Sequence, residues 1–158
     1  MVKIMIQINI YFNSIKDLYH PFNKSTLNPT LASFIYEECF GKSVKNDIQI
    51  CVSSKEILTE IEKETIINLI HNNFKNELKE EKIKNNLTSL FRTTLFLIGI
   101  IILFFVYLIK AQILHEFLLI IGWLAVWESV YDFLFVETKE KTKRKRYQKI
   151  SESKIIFN

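Results

Sequence analysis

Two apolar runs separated by a short polar break constrain the fold more than any other feature of the sequence. They cover residues 90–109 and 117–136. Each run is about 20 residues long, which is enough for a helix to cross a hydrocarbon core of about 30 Å. The alternative is a hairpin buried in a soluble domain, but the rest of the chain is too small to enclose two helices this apolar. We therefore predict that Leu90–Val136 is a transmembrane hairpin of two α-helices.

The charges that flank the hairpin predict its orientation. The break between the runs, Lys110–Glu116, contains one lysine, whereas a dense basic segment follows the second run. Lys and Arg concentrate on the cytosolic side of membrane spans, so both termini are expected in the cytosol. The cations of the basic segment are Lys139, Lys141, Lys143, Arg144, Lys145, Arg146 and Lys149.

The residues before the hairpin show strand and helix patterns in alternation. Met1–Phe12 and Asp47–Val52 have apolar residues at every second position, which is typical of strands with one buried face. Asn28 and Pro29 suit the first positions of a helix, and Gly41 suits its end. The predicted apolar stripe of that helix is Leu31, Phe34, Ile35 and Cys39.

A second helix is predicted to begin at Thr59. The segment Thr59–Glu62 is a capping box, in which a hydroxyl and a carboxylate each bind a free backbone N–H. Lys75–Asn86 is highly charged, and we predict that it forms the exposed end of this helix and a linker to the hairpin. The apolar stripe of the second helix is Ile66, Ile67, Ile70, Phe74 and Leu78.

Two strands alone bury too little apolar surface for a stable sheet. Ser153–Phe157 is a third strand candidate, and it can return to the sheet if both termini lie on one side of the membrane. We predict a small cytosolic α+β domain at 1–86, the hairpin at 90–136, and a basic helix with a strand at 137–158. The sheet would be completed by this strand, by partner subunits, or by both.

The second apolar run carries two carboxylates beside a face of small residues. At about 100° per residue, small residues and Asp132 share one helix face, Glu128 lies next to it, and Trp123 and Trp127 lie opposite. Small residues allow helices to pack closely in lipid. The face consists of Gly122, Ala125, Ser129 and Asp132.

Acidic residues within a span are candidates for function because they are costly in lipid. Arg92 enters the membrane at about the depth of Asp132, so the two can form an ion pair; alternatively, Asp132 reaches the headgroup region. Glu128 is about one turn deeper and has no obvious partner. In a homo-oligomer it would form a ring of carboxylates, which selects for cations.

The basic segment has two interpretations. It is a topology signal in the simpler one, and in the other it attracts anionic lipid, nucleic acid or phosphate. The residues predicted to bind phosphate groups of a ligand are Lys143, Arg144, Arg146 and Lys149.

Catalytic signatures are absent from the sequence. It has no Gly-rich phosphate loop, no His-Glu-x-x-His segment and no nucleophile elbow. Cys39 and Cys51 do not form a Cys-x-x-Cys pair, so neither a zinc site nor a redox pair is indicated. We therefore expect no enzyme activity, no small-molecule substrate, no cofactor and no metal.

Gly122–Phe135, the basic helix after it and the ending Lys-Ile-Ile-Phe resemble a group of small two-span membrane proteins of low-GC bacteria. That resemblance implies a bacterial inner membrane but no activity. In architecture alone, the chain also resembles pore-forming membrane effectors of anti-phage systems, such as the Hailong-type effector. This second resemblance implies a cytosolic domain that senses a nucleotide or oligonucleotide and subunits that assemble into a pore.

Three hypotheses follow. The protein is a gated oligomeric ion channel or membrane-disrupting effector, a non-conducting anchor or adaptor that recruits a cytosolic partner, or a scaffold that binds anionic lipid. Only the first requires a special role for Glu128.

Overall fold

The computed structural model describes residues 5–158, which form two compact units. The first unit contains residues 5–80 and 142–158, and the second contains residues 81–141. Residues 1–4, where the first predicted strand begins, lie outside the described residues. In chain order the elements are strand β1 (Met5–Phe12), a 3-10 turn (Ile15–Leu18), strands β2 (Tyr19–His20) and β3 (Asn23–Leu27), helix α1 (Pro29–Glu38), strand β4 (Asp47–Ser54), helix α2 (Glu60–Val106), helix α3 (Gln112–Tyr131), a π-helical turn (Asp132–Val136), helix α4 (Glu137–Ser151) and strand β5 (Lys154–Phe157).

The first unit is built on a parallel sheet of three strands in the order β1-β4-β5. Ile8 of β1 lies opposite Ile50 of β4, which in turn lies opposite Ile155 of β5. The predicted strands at both ends of the chain are therefore present. The strand near the carboxyl end joins the sheet of its own chain, and β4 gains a neighbour on each side.

Helices cover one face of this sheet. The alternating isoleucines of β1 and β4 point into the core, as the period of two predicts. Buried residues from α1, α2 and α4 pack in the same cluster, including Ile35 of α1, Ile70 and Phe74 of α2, and Ile150 of α4. The predicted stripe of α1 is wrong at Phe34, which is 42% exposed because the helix turns this position away from the sheet.

The opposite face of the sheet is not covered within the described residues. Gln7, Asn9 and Tyr11 of β1 are exposed on it. Parallel sheets are normally covered on both faces, so this open face is unusual.

The segment between β1 and α1 is more ordered than the sequence suggested. Its Pro, Asn and Ser residues are typical of irregular structure. Instead, it contains the 3-10 turn and an antiparallel pair of strands, β2 and β3. Leu18 and Leu27 are buried in the core, and their burial fixes the segment.

Two helix starts have the caps that the sequence predicts. The Asn28 side chain accepts a hydrogen bond from the Thr30 N–H at 3.0 Å. At the start of α2, the Glu62 N–H donates to the Thr59 Oγ1 at 3.3 Å, and the Glu62 carboxylate accepts from the Thr59 N–H at 2.8 Å. Beyond the end of α1, Gly41 has a φ of 76°, which glycine adopts without strain.

The predicted linker at Lys75–Asn86 is wrong. α2 continues through this segment without a break and is 47 residues long. No Gly or Pro occurs between Gly41 and Gly99, and the segment is rich in Lys and Glu, which favour helix. The high charge therefore marks an exposed stretch of helix and not an interruption.

The apolar helices also differ in their bounds from the prediction. α2 ends at Val106 and α3 begins at Gln112, so the connection is shorter and lies earlier than Lys110–Glu116. α3 passes through the π-helical turn directly into α4. The stretches 60–106 and 112–151 are each long and apolar enough to cross a membrane, and only 17% and 11% of their most apolar windows are buried.

The capping box gives a prediction about pH. Hydrogen bonds from the Thr59 N–H and hydroxyl hold the pKa of the Glu62 carboxyl below its usual value of 4.5. A lowered pKa in the folded state means that the cap stabilises the helix above about pH 4.5 and that this stabilisation is lost as pH falls through the lowered value. We expect an NMR titration of Glu62 to have a midpoint below 4.5.

The Thr59→Val variant should raise that midpoint because it removes the hydroxyl donor. Thr65→Val is the matched control, since Thr65 donates to the Ile61 carbonyl oxygen and not to Glu62. A Glu62 midpoint that does not move in Thr59→Val would contradict the assignment.

Candidate functional site

Arg92 and three carboxylates form a compact cluster in the second unit. Arg92 of α2 is 7% exposed and faces three carboxylates. Its Nη2 donates to the Glu140 Oε2 at 3.2 Å, its Nε lies 3.6 Å from the Asp132 Oδ2, and its Nη1 lies 3.9 Å from the Glu137 Oε2. The expected contact between Arg92 and Asp132 is therefore present, but only the Glu140 contact is a hydrogen bond.

The π-helical turn explains how the three carboxylates reach one guanidinium. In this turn the Glu137 N–H donates to the Asp132 carbonyl oxygen, five residues back. Residues five apart point to different sides of a regular α-helix, whereas the wider turn brings them to the same side. Asp132 and Glu137 can then both face Arg92, and Glu140 follows one turn later.

The cluster has an excess of negative charge and an incomplete set of hydrogen bonds. One cation faces three carboxylates, and the buried Arg92 Nε has no hydrogen-bond partner among the described residues. A cavity of about 470 Å³ opens beside it, lined by Arg92, Phe96, Ser129 and Phe133 among others. The guanidinium therefore holds α2, the π-helical turn and the start of α4 together inside this unit.

The small-residue face of α3 packs against α2. A Cβ added to Gly122 would lie 2.9 Å from the Leu103 side chain, and one added to Gly99 would lie 3.0 Å from the Gly122 carbonyl oxygen. Ser129 is buried, and its hydroxyl donates to the Ala125 carbonyl oxygen at 2.8 Å. The face is thus used inside the hairpin, and the Ser129 hydroxyl hydrogen is used within α3.

Glu128 lies outside this packed face. Its side chain is exposed and has no hydrogen-bond or ion-pair partner within residues 5–158. Trp123, Trp127 and Tyr131 are also exposed on α3. The carboxylate is therefore the charged group of an outward surface that is otherwise apolar and aromatic.

The four cations predicted to bind phosphate do not form one open cluster. The Lys149 Nζ donates to the carbonyl oxygens of Lys45 and Asn46 at 2.9 and 2.7 Å and lies 3.4 Å from the Asp47 Oδ1. This ammonium is occupied by the loop before β4. It holds α4 to that loop.

The other three cations are partly buried on α4. The Arg146 guanidinium lies over the Phe40 ring at 5.0 Å, and the Lys143 Nζ lies over the Tyr147 ring at 5.5 Å. The Arg144 Nη1 is buried and has no hydrogen-bond partner in the described part of the chain. The exposed cations of this segment are instead Lys139, Lys141 and Lys145.

The cysteines and histidines have structural surroundings. Burial raises the pKa of the Cys39 thiol, and Lys42 and Arg146 oppose that shift less strongly. His71 contacts the Ser153 carbonyl oxygen at 3.0 Å, and His115 contacts the Val106 carbonyl oxygen at 3.0 Å. Among residues 5–158, no three His, Cys, Asp or Glu side chains are grouped so that they could hold a metal ion.

Comparison with known proteins identifies no relative of this chain. The sequence matches no protein family model, and no curated protein or solved structure is detectably similar to it. The resemblances described above therefore stay predictions.

The cluster around Arg92 generates a stability prediction. Arg92→Gln leaves three carboxylates facing one another without a cation, and it should destabilise the hairpin by about 1–3 kcal/mol, between the values typical of exposed and buried pairs. Thermal unfolding of the full chain in detergent, followed by circular dichroism, would measure the loss. Lys141→Gln removes one exposed cation from the same segment and serves as the control.

A second substitution separates charge repulsion from lost packing. Adding Glu140→Gln to Arg92→Gln removes one of the repelling charges, so the double variant should recover part of the lost stability. If the two changes are simply additive, the guanidinium does not act on Glu140.

Proposed function

We propose that this chain is a two-span protein of the bacterial inner membrane, with both termini in the cytosol, that assembles into a gated ion channel or membrane-disrupting effector. The large exposed apolar surface of α2 and α3 supports membrane insertion. Soluble monomers rarely expose contiguous apolar patches larger than a few hundred Å². Here the exposed side chains of the hairpin include Leu97, Ile101, Phe104, Ile120 and Leu124.

The sheet supports the proposed topology independently of charge. β4 precedes the two apolar helices and β5 follows them, yet the two strands are hydrogen-bonded neighbours. If the helices cross a membrane, the chain must cross an even number of times to bring β5 back. The exposed Lys139, Lys141 and Lys145 support the cytosol as that side, because Lys and Arg concentrate on the cytosolic side of membrane spans.

The exposed carboxylate of Glu128 is the main support for the channel proposal. Its carboxylate has no partner among residues 5–158 and lies on the outward surface of α3, about 6 Å along the helix from Asp132. An ionised carboxylate that faces lipid costs several kcal/mol, so it favours assembly that buries it away from lipid. Copies of Glu128 around a shared axis would line a path that attracts cations.

Homo-oligomerisation also fits the first unit. The open face of the sheet, with exposed Gln7, Asn9 and Tyr11, offers a surface for a second subunit or another partner. The proposed signal is a nucleotide or oligonucleotide, and its class is taken from the architectural resemblance to anti-phage effectors. Lys149 is occupied, whereas the Arg144 Nη1 and the Arg146 Nε have no hydrogen-bond partner among the described residues, so we assign the phosphate contacts to these two guanidinium groups.

An anchor that binds anionic lipid is the second candidate. The exposed Lys139, Lys141 and Lys145 directly follow the π-helical turn, where lipid headgroups would lie. This function needs no oligomer and gives no role to Glu128. The two candidates therefore differ in what a substitution of Glu128 does.

The channel predicts cation flux that depends on Glu128. In liposomes that contain the purified protein, Glu128→Gln should lower K⁺ flux by on the order of tenfold or more, because the carboxylates no longer concentrate cations. Glu116→Gln is the matched control: it makes the same change on the same helix, at a residue that contacts Gln112 at 3.5 Å.

Chemical cross-linking should give the same ladder of oligomers for both variants. Unchanged flux in Glu128→Gln removes this residue from the mechanism. No flux from the unsubstituted protein, together with binding to anionic but not neutral vesicles, favours the anchor.

A further inference from the structure

A cavity in the first unit has the features of a small ligand site. Its volume is about 280 Å³, close to the lower end for ligand pockets, and it lies between α1, α2 and α4. Its lining includes the side chains of Tyr36, Glu37, Asn73, Phe74, Glu77 and Tyr147. None of these residues was singled out as a ligand site by the sequence.

Asn73 presents an unused hydrogen-bond donor in this cavity. Its Nδ2 is buried and has no partner in the described part of the chain. Buried polar groups are almost always paired in folded proteins, so an unpaired one requires an explanation. A bound molecule with a hydrogen-bond acceptor would supply the missing partner.

Aromatic rings form one wall of the cavity. The Tyr36 and Tyr147 ring centres lie 5.1 Å apart, and the Tyr147 and Phe74 ring centres lie 6.0 Å apart. Tyr147 is buried, which fixes the position of its ring. Fixed aromatic surfaces of this kind favour a flat ring, which can stack without ordering flexible groups.

Two carboxylates complete the set of polar groups. Glu77 is partly buried beside Asn73 on α2, and Glu37 is exposed on α1. Neither has an ion-pair or hydrogen-bond partner among the described residues. Carboxylates accept hydrogen bonds from amino groups and repel carbonyl oxygens.

We infer that this cavity binds a planar heterocycle that carries an amino group beside a ring nitrogen, as cytosine and adenine do. The ring stacks on the tyrosines, the ring nitrogen accepts from the Asn73 Nδ2, and the amino group donates to Glu77. The Lys143 Nζ lies 5.5 Å from the Tyr147 ring centre. The inference names the ligand site of the channel proposed above, and its role in gating rests on that proposal.

Two other ligand classes fit less well. A quaternary ammonium ion would satisfy the rings and the carboxylates but would leave the Asn73 donor unpaired. Uracil and thymine rings present a carbonyl oxygen where cytosine has its amino group, and that oxygen would face Glu77. The adjacent ring nitrogen of uracil and thymine carries a hydrogen, so it would face the Asn73 Nδ2 donor with a second donor. A comparison of cytidine with uridine therefore tests both polar contacts together.

Isothermal titration of the full chain in detergent with cytidine monophosphate and uridine monophosphate tests the site. We expect the cytidine nucleotide to bind more tightly by on the order of tenfold or more, since an unpaired polar group strongly disfavours the wrong analogue. Equal affinities, or no binding of either nucleotide, would overturn the inference. So would tight binding of tetramethylammonium that displaces the cytidine nucleotide.

Substitutions at neighbouring positions separate the cavity from the rest of the surface. Asn73→Asp keeps the size of the side chain but removes the donor, so it should abolish the preference for cytidine. Asn72→Asp makes the same change at an exposed neighbour and should leave binding unchanged. If Asn73→Asp does not fold, Glu77→Gln is the second variant to test. It should reduce the preference for the cytidine nucleotide over the uridine nucleotide.

The nucleotide-binding test and the flux test can fail independently of each other. Preferential binding of the cytidine nucleotide by a protein that shows no ion flux would overturn the channel proposal and support the ligand site. Ion flux that depends on Glu128, in a protein that binds the two nucleotides equally, would overturn the ligand site and support the channel proposal.

Discussion

The pairing of β5 with β4 is the interaction on which the rest of the architecture depends. Parallel strands cannot be joined by a tight turn, so a crossover connection must lie between them. In this chain that connection is everything from α2 to α4, including both apolar helices. An ordinary crossover returns after one helix, whereas this one contains the whole second unit. Because β4 lies in the middle of the sheet, the first unit is complete only when the returning strand supplies its second neighbour.

The charged residues of the apolar hairpin divide into two kinds. Arg92 is surrounded by three carboxylates on the packed side, where a guanidinium can bind several acceptors at once. Glu128 has no partner in the part of the chain that the structure describes, and it lies on the outward surface. A charge that stabilises the fold of one chain is expected to be paired within that chain, and Arg92 fits this description. An unpaired charge on an apolar surface is better explained by assembly, which is why the proposed function depends on Glu128.

Local chemistry in the sequence predicted much of the fold. The alternating isoleucines of β1, the Asn28 cap and the Thr59–Glu62 capping box depend on neighbours a few residues away, and each is present. The errors arise where distant contacts or backbone hydrogen bonding decide the structure. The π-helical turn that presents Glu137 and Glu140 to Arg92 has no local signature. The helical stretch 75–86 is a different kind of error, because its Lys and Glu residues favour helix locally and only its high charge suggested a linker. The lining of the cavity comes from three helices that are far apart in the sequence, so no motif could indicate it.

The position of β5 in the chain also determines the order in which the protein can be completed during synthesis. A ribosome releases β1 and β4 first, then both apolar helices, and β5 after them. Until that moment one edge of β4 is unpaired, and an unpaired edge readily binds other strands. The first unit can therefore close its sheet only after the entire hairpin has been made. A chain that stops within the hairpin would present an incomplete sheet with an open central strand, which quality-control proteases and chaperones recognise in unfolded proteins.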